Sequence, residues 1–269
     1  MKKIILGPLI SVITMGSSFA ACTYNLDATN SQISSLGGIP FITQQSQSVS
    51  SPITPYRLRF IDSSQQMAAN FLNGSVVGDK LVSNVGTVAF EFKINSFAST
   101  KPLNNGELDT QITFYGQDTA NNSMLSGMLW LHSGFNGVST YPESARLGGM
   151  LRGGSYNLVN GFPQPINPLV NLAPSPVVLP VGSNFRIGVY LNQTTKELGL
   201  IVNGINKGIV LNYEKTLKNI GFLISSTQNR IDPNDPIVNQ NVGVELITDA
   251  ANMKLSYPSG TTDICGTTI

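Results

Sequence analysis

The sequence predicts an all-β protein, an antiparallel β-sandwich. Two observations carry this prediction: short runs of alternating apolar and polar residues recur along the chain, and Gly, Asn, Pro and Ser separate them. Helical periodicity is nearly absent. The 249 residues that follow the first twenty can bury a large core, and all-β domains often reach this length. We therefore expect one sandwich domain over residues 21–269.

The predicted strands are defined by their period of two. In the clearest run, Val88, Phe90, Phe92 and Ile94 share one face, so that face should pack inward while the other faces solvent or a second layer. The run 124–132 is apolar on both faces and predicts a central strand. The full set of predicted strands is 56–62, 87–95, 111–115, 124–132, 146–152, 185–192, 198–202, 205–211, 220–225 and 242–247.

Three segments interrupt this pattern. Residues 23–55 are rich in Ser, Thr, Gln and Asn, and they predict a loosely structured lead-in with one edge strand. Residues 155–184 hold six prolines, which exclude a central strand and predict a long surface loop. Residues 229–241 predict a third loop.

The first twenty residues have the pattern of a signal peptide. Lys2 and Lys3 precede an apolar run, and small residues at Ser18 and Ala20 flank the expected cleavage position. The run is shorter than the ~20 residues of a membrane-spanning helix, and no other stretch is longer. We expect an exported protein (periplasmic, secreted or on the cell surface) without a membrane span after cleavage. An uncleaved anchor is the alternative.

The two cysteines lie at opposite ends of the expected mature chain. In an oxidising compartment Cys22 and Cys265 should form one disulfide that holds the termini side by side. Lipid attachment to Cys22 is the alternative, although it leaves Cys265 unpaired.

The charge balance argues against nucleic acid and anionic membranes as partners. Loss of residues 1–20 removes two of the 16 basic residues and none of the 15 acidic ones, so the mature chain stays close to neutral. Binding to nucleic acid needs a basic surface, which this composition does not supply.

A tight turn links two of the predicted strands. Asn203-Gly204 suits a type I′ turn, because both residues tolerate positive φ, and it should pair 198–202 with 205–211. Strand 185–192 should lie on the other side of 198–202.

This three-strand pattern, together with 220–226, resembles the central strands of concanavalin A-like lectin, laminin-G and glucanase sandwiches. The resemblance covers residues 184–228 and implies a jelly-roll fold. The whole chain also resembles an uncharacterised family of exported Gram-negative bacterial proteins, which implies no activity.

The sequence offers no catalytic constellation. Glucanases of this fold carry carboxylates at alternating positions of one strand, so that acid and nucleophile share a face. The nearest pair here, Glu245 and Asp249, has Ile247 between its members, and Glu91 has only Lys93 and Asn95 on its face. We expect these acids to be solvated face residues. No Gly-x-Ser-x-Gly motif or Cys/His cluster accompanies the single histidine.

The candidate ligand-binding residues are centred on Trp130 and His132. With Met128 they share one strand face, and a tryptophan there can be a core residue or a platform for a sugar ring, because it joins a broad apolar surface to a hydrogen-bond donor. We expect the Pro-rich loop, with Tyr156 and Phe162, to cover this face.

The predicted loop at residues 229–241 is a candidate calcium site. Asp232, Asn234 and Asp235 are hard oxygen ligands of the kind that calcium prefers. The same residues are ordinary turn formers, and the turn is the favoured interpretation.

Together these observations favour an exported, non-catalytic binding module for carbohydrate or another cell-surface polymer. A polysaccharide hydrolase or lyase whose acids come from separate strands is the second hypothesis, and a structural or adhesive surface protein is the third. The sequence names no cofactor, with calcium as the one candidate, and it leaves the ligand and the oligomeric state open.

Overall fold

The chain folds into two antiparallel β-sheets that pack face to face. The computed structural model describes residues 22–74, 78–95, 103–118, 123–134, 147–159, 162–165, 170–171, 185–213 and 215–269. Between residues 123 and 171 the description is of the backbone, apart from the burial of Gly127 and Leu129. No helix among the described residues is long and apolar enough to cross a bilayer.

The described elements are two short helices and seventeen strands. They are α1 (Asn30–Ser35), β1 (Ile39–Pro40), β2 (Thr43–Gln45), β3 (Ser48–Pro52), β4 (Leu58–Ser63), α2 (Gln65–Leu72), β5 (Lys80–Leu81), β6 (Thr87–Asn95), β7 (Glu107–Gln117), β8 (Ser123–Gly134), β9 (Leu147–Val159), β10 (Phe162–Pro165), β11 (Val170–Asn171), β12 (Phe185–Asn192), β13 (Glu197–Val202), β14 (Ile205–Asn212), β15 (Asn219–Asn229), β16 (Asn241–Ile247) and β17 (Thr261–Thr262).

Each sheet has its own strand order. Sheet A runs β1-β4-β15-β7-β8-β9-β10, with β5 and β11 paired at its sides, and sheet B runs β14-β13-β12-β6-β16-β3-β2, with β17 beside β6. Among the described strands, parallel pairing is confined to β1 with β4 and β17 with β6, where the paired segments are two residues long. The predicted all-β antiparallel sandwich is confirmed.

The main core lies between the sheets and is built from the side chains that point inward at every second position along the strands. Val88, Phe90, Phe92 and Ile94 of β6 are buried there, as their spacing predicts. The ring of Phe90 lies 4.9 Å from that of Phe222 on sheet A and 5.2 Å from that of Phe114, both in edge-to-face geometry. Such contacts stabilise the packing beyond the area they bury.

A second, smaller cluster lies at one end of the sandwich. It contains Ile53, Leu103, Leu108, Ile231, Ile237 and Val242. This small cluster is buried but separate from the main core, so the sandwich interior has two apolar parts.

Most predicted strands are confirmed, with ends that differ by a few residues. β6 and β12 have the predicted bounds, whereas β7, β9 and β15 extend further. Asn203 (φ 48°) and Gly204 (φ 80°) form the predicted tight turn, and β13 pairs with β12 and β14 on its two sides.

The prediction for residues 23–55 is wrong in its detail. Residues 22–28 run extended with Cys22, Tyr24, Leu26 and Ala28 buried, and α1, β1, β2 and β3 follow. Apolar residues at alternate positions hold this segment in place although most of its residues are polar.

The Pro-rich segment also differs from the prediction. β9 continues to Val159 and β10 pairs with it, so Tyr156 and Phe162 lie in strands and not in a loop. The exclusion of a central strand is wrong for residues 156 and 157, which lie in β9 and pair with β8 on one side and β10 on the other. β10, which contains Pro163 and Pro165, and β11 are short strands that pair with β9. Residues 172–184 lie outside the described residues.

The disulfide forms as predicted. Cys22 and Cys265 are bonded across a sequence separation of 243 residues, with their Cα atoms 5.8 Å apart. Thr248 reinforces this junction, because its hydroxyl donates a hydrogen bond to the carbonyl of Cys22 at 2.6 Å. The bonded sulfur of Cys22 is not available for a lipid thioether, which counts against the lipid-anchor alternative.

Breaking this disulfide should lower the free energy of unfolding. A cross-link over so long a loop restricts the unfolded chain and contributes up to about 5 kcal/mol on the chain-entropy model. We expect Cys22→Ala/Cys265→Ala to unfold at a lower denaturant concentration than the oxidised protein. Reduction of the wild type should reproduce the shift, and an unchanged midpoint would contradict this role.

Candidate functional site

The outer face of sheet A carries two of the strand positions that were predicted to bind a ligand, Trp130 and His132. Along β7, Thr110 and Ile112 are buried toward the core, whereas Asp109 and Gln111 on the opposite side are half-buried. In register, Trp130 of β8 lies beside Gln111 and His132 lies beside Asp109. The side chains of Trp130 and His132 are outside the described residues.

The same two rows continue across β15. Ser225 pairs with Gln111, and Thr227, which is half-buried, pairs with Asp109. We call the positions Asp109, Gln111, Trp130, His132 and Thr227 the candidate face. Its described members are polar, and together they offer a carboxylate, an amide and a hydroxyl.

Helix α2 lies over the neighbouring rows of sheet A. The ring of Phe71 is 5.1 Å from that of Tyr115 on β7. Ala68 of the same helix belongs to a cluster with Ile61 of β4 and Ile33 of α1. The helices therefore cover one part of this outer face, and the candidate face lies beside them.

Tyr156 and Phe162 do not share these rows. Tyr156 is in register with Met124, six residues along β8 from Trp130, which corresponds to about 20 Å at about 3.3 Å per residue. Phe162 pairs with Val159 at the far edge of the sheet. The backbone thus places Trp130 and His132 together and these two aromatics elsewhere on the sheet.

Part of the outer face of sheet B is covered by the chain's own C-terminal segment. The expectation that Glu91 is solvated is wrong: it is fully buried. Its Oε1 accepts hydrogen bonds from the backbone N–H groups of Lys254 and Leu255, both at 2.9 Å, and its Oε2 is paired with Arg186. Nothing in the spacing of β6 could reveal this role, because Arg186 is 95 residues away and the backbone donors are more than 160 residues away.

Tyr257 adds to the same contact. Its hydroxyl lies 3.3 Å from Glu91 Oε1 as a hydrogen-bond donor. Burial, followed by the negative charge of Glu91, raises the pKa of the Tyr257 hydroxyl well above its ordinary value. The phenol therefore stays protonated and keeps donating.

The candidate calcium loop is organised as a set of turns. Asp232 Oδ1 accepts from the backbone N–H of Asn234 at 2.9 Å. Asp235 is buried, and its two oxygens accept from the N–H groups of Ile237 and Asn104, each at 3.1 Å. Three of the four carboxylate oxygens thus already bind backbone donors.

One other group of potential metal ligands occurs among the described residues. Ligand atoms of Cys22, Asp263 and Cys265 lie within 4.8 Å of one another. Both sulfurs are used by the disulfide, and Asp263 accepts from the N–H groups of Ala250, Cys265 and Thr267. In the oxidised protein this group is a structural junction.

A polar cleft of about 310 Å³ opens between residues 23–27, the first residues of α2 and residues 79–80. At its floor the hydroxyls of Tyr24 and Ser64 both donate to the Asp79 carboxylate, the first at 2.7 Å. Asp27 at the rim accepts from the N–H of Gln65 at the start of α2. Sequence reasoning missed this cleft, because its lining comes from three separate segments.

The burial of Tyr24 shows what this network does. Tyr24 Oη accepts from the N–H of Phe222 at 3.1 Å, and burial together with the nearby Asp79 charge raises the pKa of the Tyr24 hydroxyl. Ser64 caps α2 by accepting from the N–H of Met67 at 3.0 Å. The network therefore fixes the N-terminal segment to α2 and β15.

Asp62 is a buried carboxyl at one edge of sheet A. Its Oδ2 accepts from the Gln44 side chain at 3.0 Å and its Oδ1 from the N–H of Ser63 at 2.8 Å. Burial is the main cause that raises its pKa from 3.8 to about 7, with a smaller contribution from the negative charge of Asp27. The folded protein therefore binds a proton here at pH values where the unfolded chain has lost it.

Comparison with known proteins yields one family match, which covers part of the chain. Residues 170–267 match the family model described as a domain of unknown function, DUF4882. No curated protein matches the sequence.

Several solved structures are similar in fold. The κ-carrageenase from Pseudoalteromonas carrageenovora, in complex with an oligotetrasaccharide of κ-carrageenan, is 13% identical over 76% of this chain and 79% of that one, with a TM-score of 0.38. The exoplasmic/lumenal domain of VIP36, in its Ca²⁺/Man3GlcNAc-bound form, is 9% identical over 81% and 83%, with a TM-score of 0.39. A tetrameric galectin from the ball sponge Cinachyrella sp. is 12% identical over 63% and 97%, with a TM-score of 0.29. At these identities the likeness concerns the fold.

Asp62 should make stability depend on pH. Because its pKa is raised on folding, its favourable contribution is complete below about pH 4 and is lost as the pH rises to about 7. The difference corresponds to up to about 4 kcal/mol of unfolding free energy. We expect Asp62→Asn to remove this part of the pH dependence and to unfold at higher denaturant concentration than wild type at pH 8.

Denaturant unfolding of both proteins from pH 4 to 8 measures the effect. Asp27→Asn is the companion variant, since loss of the Asp27 charge should move the pH-dependent range of the wild-type Asp62 to slightly lower pH. Parallel wild-type and Asp62→Asn curves across this range would contradict the assignment.

Calcium should leave the unfolding temperature unchanged, because the oxygens of Asp232 and Asp235 are largely occupied by backbone donors. The measurement is thermal unfolding in calcium chloride and in chelator. A calcium-dependent rise that disappears in Asp232→Asn and in Asp235→Asn would instead establish the metal site.

Proposed function

We propose that this protein is a non-catalytic carbohydrate-binding module and that the candidate face on sheet A receives the sugar. The observation that carries the proposal is the register of β7 and β8, with the Trp130 and His132 positions beside half-buried Gln111 and Asp109. Alternate residues of a strand project to opposite sides, so these positions occupy the face opposite to that of buried Leu129.

The chemistry of these residue types suits a sugar. An indole ring offers a broad apolar surface to the C–H face of a pyranose, and it keeps an N–H donor at its edge. A carboxylate and an amide beside it accept and donate the hydrogen bonds that ring hydroxyls need. Gln111 and Asp109 supply these groups from the neighbouring strand.

The cover over part of sheet B supports the choice of face. Residues 252–257 lie against Glu91 and Arg186 on the outer side of that sheet, where backbone groups of Asn252, Lys254 and Leu255 hydrogen-bond to these two side chains. On sheet A, Phe71 of α2 packs against Tyr115 four residues along β7 from Gln111. The candidate face therefore lies beside a helix that stands on the same side of the sheet.

The proposed location is outside the cytoplasm. The signal-peptide pattern of residues 1–20, which lie outside the described residues, predicts export, and the bonded Cys22–Cys265 pair suits an oxidising compartment. The ligand would then be a glycan of a cell surface or of the surroundings.

A polysaccharide hydrolase or lyase is the alternative, and the polar cleft favours it. Asp27 and Asp79 come from separate segments and line the same opening. A pair of carboxyl groups can serve as acid and base in glycoside cleavage. Reducing ends or unsaturated products released from a polysaccharide by wild type, and lost in Asp79→Asn, would transfer the function to this cleft.

A glycan array on wild type and Trp130→Ala tests the binding proposal. Loss of the ring should weaken binding roughly tenfold or more, because a central tryptophan contact is worth about 1.4 kcal/mol or more. Gln111→Ala and Asp109→Asn should weaken it less.

Tyr56→Ala is the matched control, since Tyr56 is an aromatic with 69% of its surface exposed and lies outside the candidate face. It should bind as wild type does. Thermal unfolding of each variant separates lost binding from lost folding. Equal binding by wild type and Trp130→Ala, or binding by neither, ends the proposal.

A further inference from the structure

Three buried hydroxyl groups in the described part of the chain have no hydrogen-bond partner within the protein. They belong to Ser51, Thr110 and Ser226, whose exposed fractions are 1%, 0% and 0%. A buried polar group without a partner costs free energy, and nearly all such groups in folded proteins are paired with protein or with ordered water.

Other buried polar groups in the described part of the chain have partners. The hydroxyl of Ser63 donates to the carbonyl of Ser64 at 3.0 Å, and the hydroxyl of Thr248 donates to Cys22. Gln228, two residues beyond Ser226, donates to the carbonyl of Pro52 and accepts from Thr54, each at 2.8 Å. The three hydroxyls therefore differ from the other buried polar groups of the described residues, which have hydrogen-bond partners.

All three occupy inward positions at the same level of the sandwich. On β3, Ser51 lies between Val49 of the main core and Ile53 of the small cluster. On β7, Thr110 lies between Ile112 of the main core and Leu108 of the small cluster. We call these three side chains the hydroxyl layer.

The third member completes the layer. Ser226 follows Ile224 of the main core on β15, and it is in direct register with Thr110. Two hydroxyls thus project from neighbouring strands of sheet A, and the third projects from sheet B toward the same boundary. The two apolar clusters of the interior meet at these residues.

We propose that the hydroxyl layer is an internal water-binding site, in which ordered water bridges the two sheets between the main core and the small cluster. A buried water needs two to four polar partners, and the layer supplies three hydroxyls, each able to donate and to accept. Water satisfies all three groups at once, which a pairwise bond between two of them does not.

The site has a direct connection to strand β7. Thr110 lies between Asp109 and Gln111, which face the other side of the same sheet. Water held by Thr110 therefore fixes the inner side of the strand whose outer side carries the candidate face. This inference does not depend on what that face binds.

Unfolding measurements on Thr110→Val, Ser226→Ala and the double variant test the site. With bound water, each single substitution removes one of its partners and leaves the others less well satisfied. The unfolding equilibrium constant should then rise roughly two- to tenfold. The second substitution should cost less in the double variant than it does alone, because both act on the same water.

Thr227→Val is the matched control, a hydroxyl removed from the same strand β15 at a position accessible to solvent. It should change the unfolding equilibrium little. Magnetisation transfer from water to the methyl groups of Thr110 and Leu108 should show a long-lived bound water in the wild type, and the signal at Leu108 should be lost in the double variant.

If no water binds at the hydroxyl layer, we expect the opposite result. Without water, Thr110→Val and Ser226→Ala would each replace an unsatisfied group by an apolar one, and both would raise stability in an additive way. Either that result, or destabilised variants together with no water signal at Thr110 and Leu108 in the wild type, overturns the proposal.

Discussion

The packing of the inward face of β6 against sheet A is the contact on which the rest of the structure depends. Phe90 meets both Phe114 and Phe222 in edge-to-face geometry, so one residue of sheet B is held by two strands of sheet A. Because side chains alternate along a strand, this contact also determines which residues of β6, β7 and β15 face outward. A shift of one residue in any of these strands would exchange the core and the outer faces.

The outer faces of the two sheets are covered in different ways. On sheet B, the side chain of Glu91 lies on the outer side of β6, and the C-terminal segment covers it. Two backbone N–H groups of that segment and the Arg186 guanidinium bind its carboxylate. A buried carboxylate is tolerated only with such partners. On sheet A, helix α2 covers one part of the outer face, where Phe71 packs against Tyr115, whereas Tyr24 of the N-terminal segment packs into the main core against Phe222. The rows that contain Gln111 and Asp109 lie beyond this helix.

Local rules predicted the strands well because most of them are long and strongly periodic. β6 and β12 matched to the residue, and the Asn203-Gly204 turn paired β13 with β14. The same rules failed for residues 22–28 and for α2. Residues 22–28 contain only a few apolar residues, Tyr24 among them, within a largely polar segment. Helix α2 is only eight residues long. Short elements depend on tertiary contacts more than on propensity.

The sequence by itself determined the period of two, the tight turn and the pairing of Cys22 with Cys265, because each rests on local geometry or on there being only two thiols. It also placed Trp130 and His132 on one face of one strand. Only the tertiary structure decided that Gln111 and Asp109 lie beside them, that Glu91 is buried and that three hydroxyls meet between two apolar clusters. These are contacts between strands far apart in the chain, and their register depends on how whole sheets pack.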